Sequence, residues 1–322
     1  MVKPVFIFSQ PRSGSTLLQK LLMAHPKINS APEPWFLLPV LFSRRKEGVL
    51  SIYDHETCRR AVNGLTDHLP EKEEDFYSAV RSYAESIYEK LCSNDEIYFV
   101  DKTPRYYLII DEIARIFPDT KFIFLFRNPA AVISSSLTTW FNNRLNKICI
   151  SEIDFIEGPR KLAEGNELLK DRSESLIYEE FVKSPEDHLK VVFNYLGLEY
   201  DPGILENYRY QKLDGIGDPD GAAKYDSITD IPLEKWKQNM ANPVRKSILK
   251  KYIAQTDDKY LELCGISKDK LLRDIDLLKI QDSNPYHWLR DRIDFAVSNF
   301  YKKHKLIVYH PNFNWLKNRY IS

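Results

Sequence analysis

Apolar residues gather along this chain in two rhythms. Val5-Phe6-Ile7-Phe8 is an unbroken apolar run, consistent with a strand buried on both faces. Residues 9–15 are turn-like, and Leu17, Leu18, Leu21 and Leu22 then make one helical stripe that stops near His25-Pro26. Residues 71–91 read as an amphipathic helix, with Phe76, Val80, Tyr83, Ala84, Ile87 and Leu91 on one face and acidic residues in the first turn. Ile97-Tyr98-Phe99-Val100 is a second strand, followed by a helix over about 106–117. Phe122-Ile123-Phe124-Leu125-Phe126 is a third, and Pro129 stands where a helix can begin. Leu176-Ile177-Tyr178 is a fourth. Ser184-Pro185-Glu186-Asp187 has the chemistry of a helix start, and Leu189, Val192, Phe193 and Leu196 carry that helix to Gly197.

Strands alternating with helices predict an α/β architecture, a three-layer, P-loop-like fold whose central parallel sheet is flanked by helices. Residues 214–232 are rich in Gly, Asp and Pro and read as a long loop, a feature that often carries function. The last fifty residues are helical and aromatic, with Leu289, Ile293, Ala296, Val297 and Phe300 in register. There is no internal repeat and no low-complexity tract.

The strand–loop–helix at the start contains Phe8-Ser9-Gln10-Pro11-Arg12-Ser13-Gly14-Ser15-Thr16-Leu17-Leu18, close to the phosphate-binding pattern G-x-x-x-x-G-K-[ST]. Ser9 takes the first glycine position, Gly14 the second, and Thr16 the closing hydroxyl. Ser15 stands where the lysine belongs. In a nucleotide triphosphatase that lysine neutralises the β/γ-phosphates and the hydroxyl ligates magnesium. A donor without a γ-phosphate needs neither. The backbone N–H groups and the helix N-terminus still favour an anion, and Arg12 adds a charged fork. An ordinary strand–turn–helix with a capping serine is the alternative on spacing alone.

Composition narrows the class. The chain has 322 residues, 43% hydrophobic and 29% charged, with 46 basic and 46 acidic side chains. With zero net charge, nothing global favours nucleic acid or an anionic membrane. Cys58, Cys92, Cys149 and Cys264 are scattered, which suits a reducing compartment and inert thiols. The apolar run at residues 5–8 is too short for a signal peptide or a membrane span. These features together predict a soluble, cytoplasmic protein.

Four segments, in order, resemble sulfotransferases that use 3′-phosphoadenosine 5′-phosphosulfate (PAPS). The likeness covers about residues 5–200 and is closest to the branch containing the protein-tyrosine sulfotransferases. Arg12-Ser13-Gly14-Ser15-Thr16-Leu17-Leu18, then His25-Pro26 and Glu33, is similar to the family's opening, with the same interval from arginine to glutamate. Phe126-Arg127-Asn128-Pro129 through Ser135 resembles its 3′-phosphate site. Asp101-Lys102-Thr103-Pro104 resembles its central lysine segment, and Tyr178-Glu179-Glu180-Phe181 its Tyr-Glu strand end. The resemblance implies a donor site built from Arg12, Ser13, Gly14, Ser15, Thr16, Arg127, Ser135 and Tyr178. Lys224, before Trp236, is a further donor contact, although Trp236 itself reads as core. The donor is a co-substrate, and no metal is implied.

For the chemistry, the resemblance implies Glu33 as general base and Lys102 as the charge on the donor's bridging oxygen. Pro32, Pro34 and Trp35 around Glu33 predict an apolar setting that favours a base of this kind. The histidine that small-molecule members carry after Lys-Thr is replaced by Pro104. His68, in Asp67-His68-Leu69-Pro70, is a decoy at a helix end or on the surface. Glu47 and Glu56 are read as solvated. The acceptor is a hydroxyl compound, namely a carbohydrate, a lipid or a small natural product. Its pocket is expected in a helical insertion at 36–95, with Trp35, Phe36, Phe42, Tyr53, Arg44, Arg45 and Lys46 nearby. Residues 1–270 then form the catalytic domain and 271–322 a helical extension packed on it. Neither nucleic acid nor a membrane span is expected. Two alternatives stay open at this point: a P-loop nucleotide kinase or NTPase, which Ser15 disfavours, and a nucleotide-binding scaffold without catalysis.

Overall fold

A computed structural model describes residues 2–49, 51–93, 95–213, 228–229 and 231–304. Five strands form one sheet: β1 (Lys3–Ser9), β2 (Ile28–Ser30), β3 (Tyr98–Asp101), β4 (Lys121–Phe126) and β5 (Ser173–Ile177). Their order is β2-β3-β1-β4-β5, with every neighbouring pair parallel. Parallel pairing needs crossovers, and helices supply them. Between β1 and β4 lie α1 (Ser15–Met23), α2 (Leu37–Phe42), α3 (His55–Asp67), α4 (Glu73–Leu91) and α5 (Ile110–Ile116). Next come α6 (Pro129–Trp140), α7 (Glu152–Leu168), α8 (Tyr178–Phe181), α9 (Pro185–Leu196) and α10 (Ile204–Asn207). The described chain closes with α11 (Ile231–Asn239), α12 (Pro243–Gln255), α13 (Asp258–Leu263), α14 (Lys268–Leu277) and α15 (Pro285–Lys303).

The period-two geometry of a strand explains the unbroken apolar runs. Phe6, Phe8, Phe99, Phe122, Phe124 and Phe126 share one face, whereas Val5, Ile7, Val100, Ile123, Leu125 and Leu176 share the other. Both faces are covered, so the central runs are apolar throughout and polar residues enter only toward the strand ends, as at Ser9 and Asp101. The aromatic face stacks upon itself, with the Phe8 and Phe122 rings 5.6 Å apart, and α4 covers it through Tyr77, Val80, Ala84 and Tyr88. The branched face receives Leu17, Leu18, Leu21 and Leu22 of α1, and Leu189, Val192, Phe193 and Leu196 of α9. Gly197 ends α9 in the left-handed region, φ 77°, as the sequence requires. A third cluster joins α6 to α11, α12 and α14 beside the sheet.

The observed elements differ from the sequence reading in several places, among them the following. β2 is an edge strand of three residues with a single apolar member, Ile28, and no periodicity exposes it. β5 begins at Ser173, and Tyr178 opens a helical turn rather than ending the strand. The helix after β3 starts as a 3-10 turn at Pro104, becoming α-helical only at Ile110. α7 was not foreseen, because Gly158, Pro159 and Gly165 interrupt its sequence pattern.

Candidate active site

Because all five strands run the same way, their carboxyl ends lie along one edge, the usual ligand edge of an open α/β sheet. Each expected site residue in the described chain follows a strand or sits on the helix after it. Residues 12–16 follow β1, Glu33 follows β2, Lys102 follows β3, Arg127 and Ser135 follow β4, and Tyr178 follows β5.

The loop after β1 is shaped for close approach. Arg12 and Gly14 both have left-handed backbone, φ 67° and 89°. A Cβ on Gly14 would lie 2.2 Å from the Tyr178 ring, so only glycine fits both the conformation and the contact. Gly14 is the N-cap of α1 and brings no side chain to the first turn, whose N–H groups remain directed out of the helix start. Ser9 and Ser13 are fully buried, and their hydroxyls have no hydrogen-bond partner among the described residues. Both hydroxyls lie on the segment from the end of β1 to the N-terminus of α1.

The lysine absent from the loop arrives from β3. Lys102 is only 2% exposed, and its Nζ lies 3.3 Å from Thr16 Oγ1 and 2.8 Å from Glu33 Oε1. The other Glu33 oxygen accepts from Trp35 Nε1 at 3.0 Å. Glu33 is thus held by charged and polar donors, not by the apolar wall that its prolines and tryptophan suggested. Trp35 has φ 58°, a strained value for a bulky residue, and its N–H donates to Thr103 Oγ1. Behind this loop lies Asp101, fully buried. It accepts from Tyr88 Oη at 2.7 Å and meets Thr103 Oγ1 and Tyr106 Oη at 3.4 and 3.5 Å. Burial pushes its carboxyl up to about 7, against the lowering effect of those hydroxyls.

On the other side of the loop, the Arg127 guanidinium lies over the Tyr178 ring at 4.2 Å and donates to the Arg12 carbonyl at 2.7 Å. Its Nε is buried, 4.0 Å from Glu179 Oε1, with no hydrogen-bond partner among the described residues. Tyr178 therefore spaces Gly14 from Arg127. Ser135 receives a hydrogen bond from Arg12 Nε at 3.2 Å, so Arg12, not Arg127, is the arginine that meets this hydroxyl. Asn128 caps α6 through its side chain, and its N–H donates to Glu179. Burial raises the Glu179 carboxyl above its ordinary range despite the neighbouring Arg127.

Several supporting residues were not legible beforehand. Tyr260 Oη, from α13, lies 2.5 Å from Gln10 Oε1 and 3.0 Å from the Arg127 carbonyl, while Gln10 Nε2 donates to the Asp154 carbonyl. Arg105 and Tyr107 in turn bind the Asp154 carboxylate. Asp101 sat inside a recognised segment without an assigned task, as did Glu179. His68, read as a decoy, is exposed at the end of α3 and bonds the Gly64 carbonyl, and Trp236, read as core, is buried beside α6. Lys224 lies outside the described residues. Arg44 and Arg45, expected near an acceptor, are committed to Glu73 and Glu112, while Tyr53 is exposed.

A family model described as "Sulfotransferase family" matches residues 4–202, more than half of the chain. Among curated relatives, the chain is 28% identical over 268 residues to nodulation protein NoeE of Sinorhizobium fredii, covering 73% of this chain and 60% of that protein. It is 25% identical over 267 residues to protein-tyrosine sulfotransferase 2 of Gallus gallus, covering 77% and 62%. The chain thus spans about three fifths of the length of these two relatives. Among solved structures, the sulfotransferase domain from the curacin biosynthetic pathway superposes with a TM-score of 0.54 at 22% identity, covering 82% of this chain and 97% of that one. The Synechococcus PCC 7002 olefin synthase sulfotransferase domain gives 0.52 at 24%, covering 82% and 94%. These likenesses show the same fold.

Proposed function

Because the chain belongs to the sulfotransferase family, we propose that it transfers the sulfuryl group of PAPS to a hydroxyl acceptor by in-line displacement. The observation that carries this reading is the contact chain Thr16–Lys102–Glu33, which joins the anion-binding loop to a carboxylate through one buried ammonium. The donor's phosphates fit the residues present. Ser9 and Ser13 offer unmet hydroxyls, Arg127 an unmet Nε, and α1 its uncapped N-terminus. Ser15, Thr16, Arg12 and Ser135 complete the set, with Lys224 as a further contact.

The acceptor oxygen bonds to sulfur as the bond from sulfur to the 5′-phosphate oxygen breaks. Glu33 takes the acceptor's proton, and Lys102 compensates the charge on the departing oxygen. Lys102 also bonds Glu33, so one ammonium serves both the departing oxygen and the base. An NTPase reading fares worse, because the Thr16 hydroxyl that would ligate magnesium faces an ammonium instead.

The acceptor is a carbohydrate, a lipid or a small natural product, received by the 36–95 segment. Residues 1–270 form the catalytic domain and 271–322 its extension, the join falling within α14. This reading includes a reducing, cytoplasmic setting, in which scattered cysteines stay as thiols. Adenosine 3′,5′-bisphosphate should raise the melting temperature without added magnesium. A strict magnesium requirement, or tighter binding of ATP than of the bisphosphate, sinks the donor assignment. Turnover of labelled donor with a panel of hydroxyl compounds identifies the acceptor, and none at all would leave only a nucleotide-binding scaffold.

A further inference from the structure

The helix α15 is docked with its polar side inward. Asp291 is buried against Arg245 Nε at 2.7 Å and Asn242 Nδ2 at 2.9 Å. Asp294 receives both arms of the Arg144 guanidinium, at 2.6 and 2.7 Å, and Ser298 Oγ accepts from the Cys149 N–H. These bonds fix the rotation of the helix, and its apolar side faces outward. Tyr286, Leu289, Ile293 and Phe300 are between 53% and 68% exposed, and Ala296 is exposed with them. Their spacing alternates three and four residues, so they form one stripe. Two of the four cations of α15 are already paired, Lys302 with Glu152 and Arg290 with Asp291. Asp291 and Asp294 are the only acids of α15 and both are buried, whereas Arg292 and Lys303 are exposed beside the stripe.

An exposed apolar stripe flanked by cations narrows the choice of partner. A second copy pairing through this helix would bring the basic flanks of two copies together, which is repulsive. The aromatic residues Tyr286 and Phe300 at the two ends, with basic flanks, match a helix lying in a bilayer interface beside anionic headgroups. We propose that α15 is a peripheral membrane-docking helix that seats this stripe on a bilayer containing anionic lipid. The stripe is already oriented by the buried aspartates, so docking requires no rearrangement of the helix. Zero net charge on the whole chain does not oppose this, because at physiological salt charges beyond about 8 Å are screened and the local stripe governs.

The test is co-sedimentation of the full chain with vesicles of equimolar phosphatidylglycerol and phosphatidylcholine, against vesicles of phosphatidylcholine alone. The chain should pellet with the anionic vesicles and be released by salt. Arg292→Gln and Lys303→Gln should each weaken partition roughly fivefold. Leu289→Ser combined with Ile293→Ser should weaken it by roughly tenfold or more. All these side chains are exposed, so the melting temperatures should match the parent. Equal pelleting with neutral vesicles, or binding that survives the double apolar change, overturns the proposal. A dimer in analytical ultracentrifugation that the double change dissolves, with no vesicle binding, overturns it in favour of a second copy.

Discussion

Asp101→Asn isolates one buried charge and predicts the shape of a stability curve. In the folded chain the Asp101 carboxyl holds its proton up to about pH 7, because burial disfavours the anion, against an ordinary value of 3.8. Between those two values the folded state binds the extra proton, so stability falls as pH rises through the interval. Taken over the full gap at 1.36 kcal/mol for each tenfold step, the loss is about 4 kcal/mol. The slope contributed by this group is about 1.4 kcal/mol per pH unit between pH 5 and 6, halves near pH 7 and flattens above pH 8. Asparagine keeps the size and an acceptor for Tyr88 Oη but does not titrate. Its neutral amide should therefore gain on the parent as pH rises. His25 works in the opposite sense, since burial lowers its imidazole and favours folding as pH rises, and taking the difference between parent and variant cancels it. The assay is urea unfolding at pH 5, 6, 7 and 8 for both proteins. If the two curves run parallel, Asp101 does not titrate in that interval and the argument from burial fails.

Glu33→Gln should cut single-turnover sulfuryl transfer by about 10²-fold or more. It should not weaken the bisphosphate, since it removes the carboxylate that competes for Lys102. The fall in rate on the acid side should vanish in Glu33→Gln and persist in Lys102→Ala. An intact acid limb in the glutamine variant would assign the proton to another residue. Arg127→Ala should weaken the bisphosphate by about 1.5–3 kcal/mol in titration calorimetry, and Ser135→Ala more mildly. Parent-like binding in both moves the 3′-phosphate site elsewhere. Gly14→Ala combines a left-handed backbone costing about 1–2 kcal/mol with a collision on Tyr178, and should lower both melting temperature and bisphosphate affinity. An unchanged melt would mean that the ring moves aside freely.

The parts of this molecule legible in its sequence are those whose causes are local. β1 and β4 were visible because a strand buried on both faces must be apolar at every position. The loop at 9–16 was visible because its backbone demands a glycine at Gly14 and a helix directly after. Glu33 and Lys102 were each singled out by resemblance, but their contact was not foreseen, since nothing in spacing alone brings β3 to the end of β2. What stayed hidden depends on distant partners. Tyr260 meets Gln10 across a separation of 250 residues, and a tyrosine in a short amphipathic helix reads as ordinary core. β2 owes its existence to the backbone of β3 more than to its own side chains. Arg44 and Arg45 read as free cations until the helices that hold Glu73 and Glu112 are placed around them.

The strand order also has a consequence for how the chain is made. β1 is synthesised first and ends in the sheet's centre, yet the strands on either side of it come about a hundred residues later, so its pairing waits on long loop closures. The anion loop is complete as a peptide once residue 16 has left the ribosome, but the groups that clamp it are not. Lys102, Arg127, Tyr178 and finally Tyr260 must each be translated and docked before the loop is clamped and, on the proposed reading, can grip a nucleotide. Nascent chains shorter than this should therefore be unable to recruit the nucleotide as a folding aid. Nucleotide capture by a translating ribosome would mark the moment at which the last clamp closes, and the residues made earliest would be among the last to become useful.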